Sequence, residues 1–450
     1  MKSLYLEQWI HQIVSGILGI RHITRRDLEA YQLLRLGQTL RYAYEKSSFY
    51  RHLFDKSGVL PADIKTIEDL SRIPFTEPRY LAEIPYKFLC VSQAEVARPC
   101  SFVTSGTTGP QKKVFWSRSD LEKIIEFMRT GIATVAGTQD VVQIMLADGR
   151  PYSQADLLYR GVKKLGAAPV LSGMDVAAEE QLQTIKDFGS TVLFGYTGRL
   201  FRMSKELQRN HDLRAAGVKV LFAAGEYLPN AMRKQLQQIW ACRVHTHYGL
   251  TEMGLGVAVE CEAHAGYHFN EAGLLLEVVD PITGETARPG EEGELVFTTL
   301  LCEAMPLIRY RTHDVSRFMP GPCSCGAASL LRIDFVRKRL ESIVTVEGGD
   351  PIYPSLFDDA LFEIPEIVDY RIALTRLEGK NRLELKIEVF SREPDILPKI
   401  HGKLLSVPAI ARNVAMGAML DPTVELVHCG ALGASGSGKK LIVVSGCSKG

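Results

Sequence analysis

Between Val103 and Lys113 the sequence reads Val-Thr-Ser-Gly-Thr-Thr-Gly-Pro-Gln-Lys-Lys, a run of small hydroxyls and glycines closed by two lysines. Glycine lets a backbone turn tightly enough to aim successive N–H groups at one anion, and Ser and Thr hydroxyls add donors that rotate to suit its oxygens. The segment reads as a phosphate grip, with Ser105, Gly106, Thr107, Thr108 and Gly109 as the cradle and Lys112 and Lys113 supplying charge. Its spacing is not Gly, four residues, then Gly-Lys-Ser/Thr, which disfavours an ordinary P-loop NTPase. The competing reading of the same residues is a Thr/Gly-rich surface turn.

A second chemical signal is His245-Thr246-His247-Tyr248-Gly249-Leu250-Thr251-Glu252, just after a helix-like stretch (230–241) and a short strand at Cys242-Arg243-Val244. Tyr248 offers a flat ring for a base, Gly249 a close backbone approach, Thr251 a hydroxyl for a phosphate and Glu252 a hard oxygen ligand for Mg2+. His247 joins this set as a nucleotide contact. A third signal is Cys261, His268, Cys323 and Cys325, spaced C-x6-H and C-x-C. Thiolate and imidazole suit zinc, and a Cys3His shell closes a tetrahedron with no open position, as in a structural rather than a catalytic site. His264 and Cys302 are spare ligands, and buried free thiols are the alternative.

The elements that must position these groups follow from the apolar pattern. Residues 1–20 and 26–46 carry apolar side chains at helical intervals, 49–61 continues as helix and turn, and 95–105 leads as a strand into the glycine loop. From Ser119 helical stretches alternate with the short apolar runs 141–146, 168–171, 190–194 and 218–222, the texture of an α/β parallel sheet. A β-rich portion follows at about 255–335, with strands at 274–280, 293–299 and 308–317. From 338 a small α+β module runs to the Gly/Ser-rich 433–438. The expected division is a large multi-layer domain, 1–337, and a small mobile domain, 338–450. Across 450 residues, 46% hydrophobic and 23% charged content with a net charge of +1 fit a globular chain and leave no electrostatic footprint for nucleic acid or an anionic membrane. Nine scattered cysteines make no disulfide framework, so a reducing cytoplasm is expected, with no membrane span.

Taken together, the 104–113 loop and the 248–252 pentapeptide resemble the adenylate-forming superfamily of acyl-CoA synthetases, luciferases and peptide-synthetase adenylation domains. Residues 38–46, Phe49-Tyr50-Arg51 and Ile73-Pro74-Phe75-Thr76 are similar to the amino-terminal helices of phenylacetate–CoA ligases. That resemblance implies a loop at Ser105 to Gly109 around the β- and γ-phosphates of ATP, and Gly225-Glu226 beside the adenine, with Tyr227 where a proline is usual. It implies ribose hydroxyls on Asp314, and a hinge in which Arg339 touches ribose or phosphate before Glu341, with Arg337 as the alternative arginine. It also implies a lysine at Lys439, or at Lys440, that stabilises charge during adenylation. Some members of the family carry a comparable structural zinc.

The implied reaction joins a small-molecule carboxylic acid, aryl or arylacetic, to coenzyme A, using ATP and Mg2+ and releasing pyrophosphate and AMP. The acyl pocket is expected from 147–152, 194–199 and 223–227. Asp148, Arg150, Tyr152, Tyr196 and Arg199 make those segments more polar than phenylacetate needs. The loop 347–351 departs from the family's pattern near the thiol tunnel. Two alternatives stay open: an adenylating enzyme with another acceptor, such as a carrier-protein thiol or the AMP transfer of coenzyme F390 synthetases, and a non-enzymatic nucleotide binder. A homodimer is also left open.

Overall fold

The computed structural model describes residues 4–102, 111–147, 149–377, 379–391, 393–433 and 440–444. They fold as two compact units, one made of Met1–Met174 with His245–Val336, the other of Asp175–Val244 with Arg337–Gly450.

In the first unit, the expected helices form as Tyr5–Leu18, Arg25–Lys46 and Ser48–Ser57. The second of these starts on a capping box, Thr24 with Asp27, which satisfies two N-terminal donors at once. Glycines at positive φ, Gly19 and Gly58, end the first and third. Strand Val96–Phe102 pairs antiparallel with Lys112–Ser117, and Phe102 lies opposite Lys112. Val141–Met145 and Ala168–Leu171 are parallel neighbours joined through helix Gln154–Leu165. The β-rich portion builds two antiparallel arrays. One runs Leu274–Val279, Gly293–Thr299, Tyr310–Ser316. The other passes from Arg243–Tyr248 through Ala258–Glu260 and Tyr267–Phe269 to Arg332–Ile333.

The amino-terminal helix buries Leu6, Ile10 and Val14 in one core with Phe127, Val259, Cys261, Cys323, Ala327 and Leu330. Polar contacts fix the same junction, because the Glu7 carboxylate accepts from the Ser329 N–H (2.9 Å) and hydroxyl (2.7 Å). Arg25 pairs with the buried Glu271, whose other oxygen accepts from the Leu331 N–H at 2.6 Å. One core therefore ties the start of the chain to the segment that carries Cys323 and Cys325.

The second unit holds the parallel pair Val192–Tyr196 and Val220–Ala224 with helices Ala178–Phe188, Thr197–Leu207 and Asn230–Trp240. Its other part is a four-stranded sheet in the order Met419–His428, Lys380–Val389, Ile367–Leu377, Ile442–Val444, backed by helices Pro354–Leu361, Ile396–Ser406 and Pro408–Ala415. The central pair is antiparallel and both outer strands join parallel. Phe201 packs edge-on to Phe362 (5.3 Å), the Gln235 amide donates to the Phe362 carbonyl (2.6 Å), and Arg202 grips Glu388 with a bond of 3.0 Å. Those contacts make one body of segments more than a hundred residues apart. Among the described residues no helix is long and apolar enough to cross a membrane.

Candidate functional site

Strand Arg243–Tyr248 runs through the second motif rather than stopping at Val244 as the sequence suggested. It delivers Tyr248, whose hydroxyl donates to Asp314 Oδ2 at 2.6 Å. The chain then turns so sharply that a Cβ on Gly249 would lie 1.8 Å from the Leu255 carbonyl oxygen, so glycine is required there by the protein's own backbone. A short 3-10 turn, Thr251–Met253, follows and aims Glu252 at strand Tyr310–Ser316. There the buried Tyr310 hydroxyl donates to Glu252 Oε1 at 2.7 Å. Lys112 Nζ reaches the same oxygen at 3.4 Å and the Tyr310 hydroxyl at 3.3 Å.

The result is two rungs between 248–252 and 310–314. Tyr248 donates to Asp314, and Tyr310 donates to Glu252, each tyrosine holding a carboxylate four residues along the opposite segment. Hydrogen bonds to an ionised acceptor are short and strong, so both carboxylates are oriented before anything binds. Lys112, Tyr248, Glu252 and Asp314 were expected from sequence and come together here, with Thr251 in the connecting turn. Tyr310 was not expected, since its only sequence signal is its place four residues before Asp314. Burial holds the His247 imidazole down to about 4, so it is neutral at pH 7 and its ring lies beside Gly249. Ser105, Gly106, Thr107, Thr108 and Gly109 lie outside the described residues, as do Asp148 and Lys439.

In the second unit, Gly225 sits at φ +82 with the Tyr196 ring 2.5 Å from where a Cβ would be, so no other residue fits that turn. Burial pushes the adjacent Glu226 carboxyl up to about 8, with Lys440 pulling the other way. Lys440 itself pairs with Asp358 (3.0 Å) and Asp369 (3.6 Å), and its ammonium lies over the Tyr370 ring (3.9 Å) and the Phe362 ring (4.2 Å). Burial opposes its charge, but these carboxylates raise its pKa above the ordinary lysine value. Lys440 is thus built into the carboxy-terminal body. Arg337 stacks over Tyr227 at 5.6 Å, and Arg339 lies in a short strand, Lys338–Arg339, whose carbonyl accepts from the Ser342 hydroxyl (2.9 Å). The loop at 347–351 is pinned by Asn413, which donates to the Asp350 carbonyl (2.9 Å) and accepts from its N–H (2.6 Å).

Several polar residues of the expected acyl segments are engaged inside their own units. Arg199 pairs with Asp175 at 2.9 Å, and Tyr152 lies under the Arg160 guanidinium at 4.9 Å while its N–H donates to Asp156 (2.7 Å).

Cys261, His268, Cys323 and Cys325 converge, their ligand atoms all within 4.8 Å of one another. Cys261 Sγ is 3.6 Å from Cys323 Sγ, and Cys325 Sγ is 3.4 Å from His268 Nε2. Zn–S bonds of about 2.3 Å and Zn–N bonds of about 2.0 Å place tetrahedral neighbours about 3.8 Å and about 3.5 Å apart, so the cluster fits the ion. The other ring nitrogen, Nδ1–H of His268, donates to the Leu331 carbonyl at 3.1 Å, which orients Nε2 into the cluster. Hydrogen bonding from Cys261, against the cost of burial, and from His268 and the Ala327 N–H holds the Cys325 thiol well below its ordinary range. Neither spare ligand, His264 or Cys302, enters this group.

A family model described as AMP-binding enzyme matches residues 100–300. The chain is 34% identical over 375 residues to a phenylacetate-coenzyme A ligase of Thermus thermophilus, covering 82% of each protein. It is 29% identical to the phenylacetate-coenzyme A ligase of Pseudomonas putida, over 90% of this chain and 91% of that one. Among solved structures it is similar to 2-hydroxyisobutyryl-CoA ligase in the postadenylation state, with a TM-score of 0.80, 20% identity and coverage of 92% and 89% of the two chains. An anthranilate CoA ligase in complex with anthranoyl-AMP has a TM-score of 0.55 at 16% identity, over 76% of this chain and 65% of that one.

Proposed function

We propose a substrate and a division of labour from the premise that this chain belongs to the phenylacetate–coenzyme A ligase family. It is an ATP-dependent, AMP-forming acid–CoA ligase that works through an acyl adenylate. The acid is aryl or arylacetic. Two things support that class: the activity of the relatives, and the engagement of Arg199 and Tyr152 with Asp175, Arg160 and Asp156 inside their own units.

In the first half-reaction a substrate carboxylate oxygen bonds to the α-phosphorus of ATP, and the bond to pyrophosphate breaks. In the second, the sulfur of coenzyme A attacks the acyl carbon, the bond to the adenylate oxygen breaks and AMP leaves. Neither half needs a covalent protein nucleophile, so positioning and charge carry the catalysis. Glu252 and Thr251 are the residues we assign to Mg2+ and phosphate, and Mg2+ when bound would supply charge neutralisation across the triphosphate. Tyr310 and Lys112 both reach Glu252 through Oε1, so the carboxylate would meet the ion already oriented. Lys112 with 105–109 opposes the β- and γ-phosphates, Asp314 takes the ribose hydroxyls and Tyr248 stacks on the nucleotide beside His247 and Gly249. For the second unit we carry over adenine contact to Gly225 and Glu226, ribose or phosphate contact to Arg339, and the adenylation charge to Lys439 in the carboxy-terminal segment, 338–450. Zinc on Cys261, His268, Cys323 and Cys325 is structural.

The observation that carries this reading is the pair of tyrosine-held carboxylates with Lys112 on one of them. The deciding experiment is ATP–pyrophosphate exchange against a panel of carboxylic acids, followed by AMP release with and without coenzyme A. Exchange strongest with arylacetic or aryl acids and AMP release that needs coenzyme A are expected. Exchange without that dependence would move the acceptor to another thiol or nucleophile, and no acid-dependent exchange would overturn the proposal.

A further inference from the structure

A second group of metal-ligating side chains lies on the same antiparallel array as the Cys3His cluster and shares none of its ligands. His245, Glu260 and His264 present ligand atoms within 4.8 Å of one another. His264 Nδ1 is 3.1 Å from Glu260 Oε1, and the two imidazole rings lie 4.7 Å apart, tilted at 48°. A fourth ligand lies nearby, because Glu262 Oε2 is 3.9 Å from His245 Nε2. From these distances we propose a second divalent-cation site, with His245, Glu260 and His264 as ligands and Glu262 closing the shell.

The geometry has the features such a site needs. Ligands bonded at about 2.0–2.2 Å around a tetrahedral ion stand about 3.4 Å from each other, and the separations His264–Glu260 and His245–Glu262, 3.1 and 3.9 Å, bracket that value. Glu260 is held from behind: the Thr246 N–H (2.8 Å) and hydroxyl (3.2 Å) both reach Oε2, which leaves Oε1 directed at His264. His245 and Glu260 are fully buried and make the floor, whereas the side chains of His264 and Glu262 are 31% and 57% exposed and give the ion a way in. The turn that brings His264 back is closed by its N–H on the Cys261 carbonyl (3.0 Å) and holds His264 in the left-handed region at φ +48. Two imidazoles and two carboxylates are a borderline-hard set that suits zinc or cobalt and not the calcium or magnesium class.

The test uses the full chain equilibrated by dialysis with micromolar zinc, desalted and assayed for metal per protein. Two zinc ions per chain are expected, falling to one in His264→Gly, a residue that accepts the left-handed backbone, and in Glu262→Gln a weakened second equivalent. Cobalt loaded in the same way identifies which site was lost. His264→Gly should keep the intense thiolate-to-cobalt absorption of the Cys3His site while losing one equivalent. One ion in both proteins would overturn the proposal, and so would loss of the thiolate absorption with His264→Gly, since that would make His264 part of the first site.

Discussion

The least anticipated residue is Tyr310. Its hydroxyl fixes Glu252 from 58 positions away, and a strand tyrosine inside Tyr-Arg-Thr-His-Asp gives no sequence cue to that partner. Tyr248 and Glu252 stood out in sequence because their residue types suit a nucleotide within one short motif, and Asp314 through the family resemblance; the structure brings the three together. A hydrogen bond to a charged group contributes about 1.5–3 kcal/mol, so Tyr310→Phe should slow pyrophosphate exchange about tenfold or more and raise the Mg2+ concentration for half-maximal rate. An unchanged Mg2+ dependence would reduce Tyr310 to packing. Glu226 makes a separate pH prediction. Its carboxyl rises from 4.5 to about 8 on folding, so the folded state binds that proton more tightly and loses stability as pH climbs through this window. Glu226→Gln removes the titration. The melting temperature of the variant minus that of the wild type should therefore increase between pH 5 and pH 8, and parallel profiles would show that Glu226 ionises freely.

At the scale of elements, apolar periodicity placed the helices and strands to within a few residues, because burial of one face dictates it. What periodicity could not see is which elements share a core. The amino-terminal helix looks like any amphipathic helix in sequence, yet its Leu6, Ile10 and Val14 lie against Cys261 and Cys323, and Glu7 anchors Ser329. Strand Ala258–Glu260 and the segment 323–331 meet there through cysteine chemistry, which spacing did suggest, and through buried polar pairs, which it did not. Closing the Cys3His shell with zinc should then stabilise more than the ligand loops. Cys325→Ser is expected to lose that zinc and lower the melting temperature by roughly 5–10 °C. Amide exchange should quicken in 5–18 as well as in 323–333. If exchange quickened only next to the ligands, the helix would be held by its apolar contacts alone.

For the molecule as a whole, the return of the chain to its second unit at Arg337 brings the carboxy-terminal sheet onto the same body as residues 175–244. Uniform α/β texture across 119–240 gives no hint of this, because the joining contacts, such as Arg202 with Glu388 and Gln235 with Phe362, are single pairs far apart in sequence. The same contacts bear on the two tail lysines that sequence left as rivals. Lys440 lies on Asp358, Asp369 and two aromatic rings, so removing it leaves two acidic groups of that body facing each other without their cation. Lys440→Ala should lower the melting temperature and leave the adenylation rate per folded molecule nearly intact. Lys439→Ala should do the reverse, abolishing acid-dependent pyrophosphate exchange while a supplied acyl adenylate is still converted to thioester by coenzyme A, with no change in melting. Single-turnover measurement of both half-reactions beside calorimetry separates the cases. Loss of adenylation in Lys440→Ala with Lys439→Ala active would transfer the catalytic role to Lys440 and require its ion pairs to open during turnover.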